Sequence, residues 1–221
     1  MSSETKPTAA NPFILPDFIS QSNAFASGDH FALNARVNNA AGNTIAKDEK
    51  GARFVFTKQL PLIVSEFREL LKGIRERDVK EVRDGAADVI VTAEGMLHRF
   101  GLGGSGVAIP HFDGDLSVVK ASAILRDSAE ILTLLMSPAY DNVQFSALLE
   151  VGEEEWRISH EHIQPYIRLV ANMYALSAVL HLPLFDDQWA VYESNMSKFD
   201  TDLETAKQGI AKYEAAGIAV R

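Results

Sequence analysis

The chain has 221 residues, 47% of them hydrophobic, with a formal net charge of −9 and no cysteine. That composition supports a packed core and excludes disorder as the main state, while the acidic balance and the lack of any dense Lys/Arg run exclude a nucleic-acid surface built on clustered cations. Disulfides and thiolate metal sites are ruled out, no apolar stretch approaches the ~20 residues of a bilayer span, and the first residues lack signal-peptide order, so a soluble, cytoplasmic protein is expected.

Residues 1–12 read as a disordered tail, and 13–221 as one domain. Phe13 to Phe25 reads as a short helix marked by Phe18 and Phe25. The polar stretch from Gly28 to Gly51, rich in Asn, Ala and Gly, reads as a long loop that could close over a ligand. From Thr57 onward nearly everything is helical in pattern. A first long helix is predicted from about Lys58 to Arg77, with Leu60, Ile63, Val64, Phe67, Leu70, Leu71 and Ile74 on one face. The next opens at Asp78 as N-cap, buries Val79, Val82, Ala86, Val89, Ile90, Ala93, Leu97 and Phe100, and stops at Gly101. After a glycine-rich connection, helices are predicted at about 115–136, 142–150, 155–182, 186–197 and 200–216. Strand-like alternation is nearly absent, so the fold class is all-α, a helical bundle.

Two acidic pairs carry the chemistry. With about 100° per residue, Leu62, Glu66, Glu69 and Gly73 share one stripe of the first long helix, and Asp84, Asp88, Val91 and Gly95 share a stripe of the next. Neither stripe coincides with its helix's main apolar face. Such acids are either solvated surface or a second, partly buried face. The glycines favour the second reading, because a glycine inside a helix costs up to about 1 kcal/mol relative to alanine and so marks a close neighbour or ligand. Four carboxylates on facing helices would need a cation, since two charges about 4 Å apart repel by roughly 4 kcal/mol at an effective dielectric near 20. No histidine follows at di-iron spacing, and an all-oxygen set selects Mg²⁺ or Mn²⁺ over zinc or iron.

Together with Tyr192-Glu-Ser-Asn-Met-Ser-Lys-Phe199, these pairs resemble the all-α nucleoside triphosphate pyrophosphohydrolases, the MazG-like and phosphoribosyl-ATP pyrophosphohydrolase-like group. The resemblance covers about Gln59 to Leu102 and Phe185 to Gly217. It implies that Glu66, Glu69 and Asp88 ligate Mg²⁺ (or Mn²⁺), with Asp84 a further ligand or supporting acid, and that these acids are the catalytic set. It further implies that Asn195 and Lys198 reach the substrate phosphates; otherwise they are a helix N-terminal turn with a surface lysine. The implied reaction is hydrolysis of a (deoxy)nucleoside triphosphate between its α and β phosphates. The chain departs from the commonest pattern at Gly85, where an acid three before Asp88 would stand, and a silent nucleotide- or metal-binding bundle is the alternative.

About eighty residues separate Leu102 from the Ser-Asn-Met-Ser-Lys stretch, and they echo the first part. Leu62 to Leu71 aligns without a gap on Ala123 to Leu132, placing Asp127 and Glu130 where Glu66 and Glu69 stand, with Ile167 and Ala171 answering Asp84 and Asp88. Two repeat units, about 57–102 and 115–185, would then pack an active and a degenerate copy in one chain, as in dimeric dUTPases, giving a pseudo-dimeric monomer; without the repeat, a homodimer is expected. His160-Glu-His162 lacks helical zinc spacing and reads as a solvated helix start.

Overall fold

The computed structural model describes residues 19–21, 25–43, 45–102, 110–112, 119–138, 140 and 160–198. Within them the protein is an all-α bundle of six helices, accompanied by one short antiparallel pairing of β1 (Ile19–Gln21) with β2 (Pro110–Phe112), Ile19 opposite Phe112. The short helix expected over 13–25 is therefore replaced at 19–21 by an extended segment that finds a partner ninety residues on. The tail, residues 13–18, and the predicted helices at 142–150 and 200–216 lie outside the described residues.

The stretch expected as a loop holds a helix. Its first half is α1 (Phe25–Ala40), after which Gly42 turns the chain at φ +69°. The buried face of α1 is half amide: Phe31 and Val37 are buried beside Asn34 and Asn38. No apolar period emerges from such a face, which is why the sequence pattern misses it.

The next helix, α2 (Glu49–Glu76), starts well before Lys58, capped by Asp48, whose Oδ1 accepts from the Gly51 N–H at 2.7 Å. Ala52, Val55, Phe56 and Leu60 extend the buried face upstream. Pro61 sits inside this helix; the carbonyl it leaves without a donor belongs to Thr57, and both residues are exposed, where water can serve the carbonyl. The end is sharp, with Arg77 left-handed at φ 57° and the Asp78 N–H donating to the Gly73 carbonyl at 2.9 Å. Asp78 then caps α3 (Val79–Arg99), its Oδ1 accepting from the Lys80 and Glu81 N–H groups at 3.0 and 3.3 Å.

Glycines set how α2 and α3 lie together. A Cβ on Gly73 would stand 2.9 Å from Glu81 Cβ and the Val82 nitrogen, one on Gly85 would stand 2.8 Å from Leu70 Cα and N, and one on Gly95 3.2 Å from Gln59 Nε2. Residue numbers rise on one helix as they fall on the other, so the hairpin is antiparallel with a fixed register.

Behind it, α4 (Ala121–Leu135) packs on α5 (His160–Leu180), and α6 (Leu184–Lys198) crosses α3. Residues 119 and 120 precede α4 without being helical, against the expected start near 115. α3 is central, touching α1, α2, α5 and α6. The core joins Ile63 and Leu70 of α2, Ile90 and Leu97 of α3, Leu135 of α4, and Met173 and Leu176 of α5, all with almost no exposure. Each such side chain contributes about 1.5–3 kcal/mol by leaving water. His162, expected at a solvated helix start, is buried as well. No helix among the described residues is long and apolar enough to cross a membrane.

Candidate functional site

The register fixed by the glycines levels the two acidic pairs. Gly73 meets Val82, Leu70 meets Gly85, and further along Gln59 Nε2 donates to the Thr92 carbonyl at 3.1 Å. Interpolating, Glu66 stands level with about Asp88 and Glu69 with about residue 86, so both face the turn of α3 that carries Asp84 and Asp88. Glu66, Glu69 and Asp88 are half-buried and Asp84 is exposed at the rim, so the stripes are neither core nor fully solvated surface.

Charge coupling follows this arrangement. Burial, followed by the nearby carboxylates of Asp84 and Glu66, pushes the Asp88 carboxyl up to about 7; Lys198 opposes the shift and Glu69 adds to it. Asp84 is also raised, first by the hydration lost on its protein side, against Lys80, and further by Glu69 and Asp187. The acids thus act on one another along one side of the α2–α3 hairpin. Among the described residues, no three acids or histidines stand together as a metal-holding group. The donor chemistry of the four carboxylates, oxygen only, fits Mg²⁺ or Mn²⁺.

Helix α6 brings Lys198, which among the described residues is the cation that acts on Asp88. Its first turn is pinned to the start of α3 by a two-pronged pair in which Arg83 Nε and Nη2 donate to Asp187 Oδ1 at 3.1 and 2.5 Å. Its last turn carries Asn195 and Lys198, both half-buried, with Lys198 Nζ donating to Asn195 Oδ1 at 3.1 Å. The Ser-Asn-Met-Ser-Lys stretch therefore closes a helix; it is not the helix N-terminal turn with a surface lysine that the sequence allowed.

The absent acid at position 85 has a packing reason. Gly85 is buried and its missing Cβ is the crossing point against the Leu70 backbone, so no side chain fits there. An acid displaced by one position, to Asp84, stays on the groove side. In the second hairpin, Asp127 is neutralised within the protein: Arg168 binds it through both Nε, at 2.8 Å, and Nη2, while Asn172 Nδ2 donates to it at 2.6 Å. Glu130 is exposed, and Ile167 and Ala171 are buried.

A polar network continues the groove beyond the acids. Gln59 lies two turns before Glu66 on the same face of α2, and Gly95 and Arg99 lie two and three turns after Asp88 on the same face of α3. Arg99 Nη1 donates to Gln59 Oε1 at 3.4 Å, and Asn38 from α1 approaches Gly95. Alongside, Asn34 Nδ2 donates to Glu94, whose carboxyl burial holds up at about 8. The sequence reading missed Gln59, Glu94 and Arg99. Continuing the α2 stripe seven residues back from Glu66 finds Gln59, and continuing the α3 stripe four residues past Gly95 finds Arg99, whereas Asn34 and Asn38 depend on a helix the pattern hides. Of the aromatic side chains nearby, Phe31 is core, while Trp189 is exposed and lies against Tyr192 with ring centroids 5.5 Å apart. The chain matches no family model, and it matches no curated protein or solved structure.

Proposed function

We propose that this protein hydrolyses a (deoxy)nucleoside triphosphate to the monophosphate and pyrophosphate. The observation that carries the reading is the groove in which Glu66 and Glu69 of α2 face the turn of α3 that carries Asp84 and Asp88, with Lys198 of α6 acting on Asp88. A cluster of half-buried acids with one lysine accommodates a metal-bound polyphosphate better than a free anion, which four carboxylates would repel. The choice of the bond between the α and β phosphates, rather than another, comes from the resemblance of the three acidic and Ser-Asn-Met-Ser-Lys elements.

Glu66, Glu69 and Asp88 would hold the metal, with Asp84 at the rim as a fourth oxygen donor. Bound there, Mg²⁺ supplies charge neutralisation of phosphate oxygens and acidifies a water. Lys198, steadied by Asn195, places positive charge against the phosphates on the side away from α2. A water oxygen bonds to the α-phosphorus, its proton passes to one of the four carboxylates, and the bridging P–O bond breaks with its electron pair leaving on pyrophosphate. Gly85 lets α2 and α3 approach closely enough for both pairs to share one groove. The protein acts as a homodimer or as a pseudo-dimeric monomer in the cytoplasm, with nucleoside triphosphate as its partner.

Pyrophosphate release from a panel of ribo- and deoxynucleoside triphosphates, with and without Mg²⁺, tests this. Metal-dependent release that is lost in Glu66→Ala is expected. No release by the folded protein from any substrate would leave binding without turnover as the better description.

A further inference from the structure

Arg99 is 6% exposed, and its Nε, buried and without a hydrogen-bond partner, is served by no carboxylate among the described residues. Its guanidinium makes one long contact, Nη1 to Gln59 Oε1 at 3.4 Å. A guanidinium withdrawn from water without an acid is costly, and burial indeed lowers its proton affinity. Side chains on a helix lean toward its N-terminus, so Arg99 lies back over Gly95, as its contact with Gln59 requires. There Gln59 Nε2 and Asn38 Nδ2 come within 3.2 and 3.3 Å of the position a Cβ would take. The guanidinium therefore lies on the buried polar seam that continues the line of the carboxylates, about two turns or roughly 10 Å beyond Asp88, a distance a nucleoside covers when its phosphates lie at the acidic end.

We infer that Arg99, set by Gln59 beside Gly95, is the specificity-determining residue for the nucleobase and selects a base with a keto oxygen at the ring position where adenine and cytosine carry an amino group, that is guanine, uracil or thymine. This rests on the proposed nucleotide reaction and adds to it the substrate class. Arginine offers donors only. Its open N–H groups are completed by a carbonyl oxygen at that position and are opposed by the amino group that cytosine or adenine carries there. The surroundings are carboxamides, Asn38 and Gln59, which suit a neutral planar ring; the triphosphate has Lys198 and the metal-binding acids at the other end.

The test compares kcat/KM for dGTP, dUTP and dTTP with that for dATP and dCTP in the wild-type protein, Arg99→Met and Arg99→Lys, each checked for folding by thermal melting. Binding of the corresponding nucleoside monophosphates by calorimetry reads the same preference without turnover. A keto preference of roughly 10- to 100-fold in the wild type, collapsing toward unity in Arg99→Met while the amino-base substrates change little, is expected. Equal losses for every base in Arg99→Met would place the guanidinium on phosphate and overturn the proposal while leaving the hydrolase reading intact. An absent or reversed preference in both kinetics and monophosphate binding would overturn it as well. If the wild type releases no pyrophosphate, the hydrolase reading fails alone, and the base preference stands or falls on the binding data.

Discussion

Replacing Asp88 by asparagine tests the electrostatic core of the site. In the metal-free protein the Asp88 carboxyl is held up to about 7 by burial and by Asp84 and Glu66, against an ordinary value near 3.9 in the unfolded chain. Its folded value is raised, so its contribution to stability is full below the unfolded value and is lost as pH rises through about 7. Between pH 5 and pH 7 the unfolded chain carries this group ionised while the folded protein keeps it protonated. Two units at about 1.4 kcal/mol each give a wild-type loss of roughly 2–3 kcal/mol from this one residue. Asp88→Asn has no proton to lose there, and the other shifted groups, Asp84 and Glu94, largely cancel in the comparison. Urea unfolding of both proteins at pH 5 and pH 8, in chelator, should show the stability gap widening in favour of the variant by roughly 2–3 kcal/mol. Saturating Mg²⁺ at pH 8 should narrow the gap, because the wild type gains from ligation what the variant cannot. A gap that is the same at both pH values would refute the crowding of carboxylates on which the site is built.

Three further outcomes are expected. Mg²⁺ binding followed by calorimetry in buffers of different ionisation heat should release close to one proton at pH 6, with affinity falling about tenfold per unit below pH 7, and release few protons at pH 8; proton-free binding throughout would contradict Asp88 as a ligand. Lys198→Met should lower kcat/KM for the triphosphate by about 100-fold and, by removing the cation that acts on Asp88, move the acid limb of the pH profile upward; an unchanged limb would detach Lys198 from the acids. Gly85→Ala should destabilise the fold by about 1–3 kcal/mol in urea unfolding, because its Cβ would meet the Leu70 backbone at 2.8 Å, and a neutral result would remove the packing explanation for the absent acid.

The sequence by itself determined the fold class and both acidic stripes. The periodicity of α3 and most of α2 is written in aliphatic residues buried on one side, although Leu71 and Val79, expected on those faces, are exposed at the hairpin end, and Asp78 announces its helix because a capping carboxylate needs only local backbone. The glycines at 73 and 95 likewise signalled close neighbours. What the sequence could not carry depends on contacts between distant residues. α1 was unreadable because Asn34 and Asn38 are buried against Glu94 and Gly95 of another helix, so its buried face is polar. The strand at 19–21 exists through its pairing with 110–112. Whether Asp127 binds a cation or an arginine was decided by α5 delivering Arg168, forty-one residues on, to a position that pattern matching assigns to its neighbours. The level pairing of Glu66 with Asp88, and the placing of Arg99 on the seam that continues it, follow from the helix register. That register is set where Gly85 meets the Leu70 backbone, a van der Waals contact that only the assembled hairpin brings about.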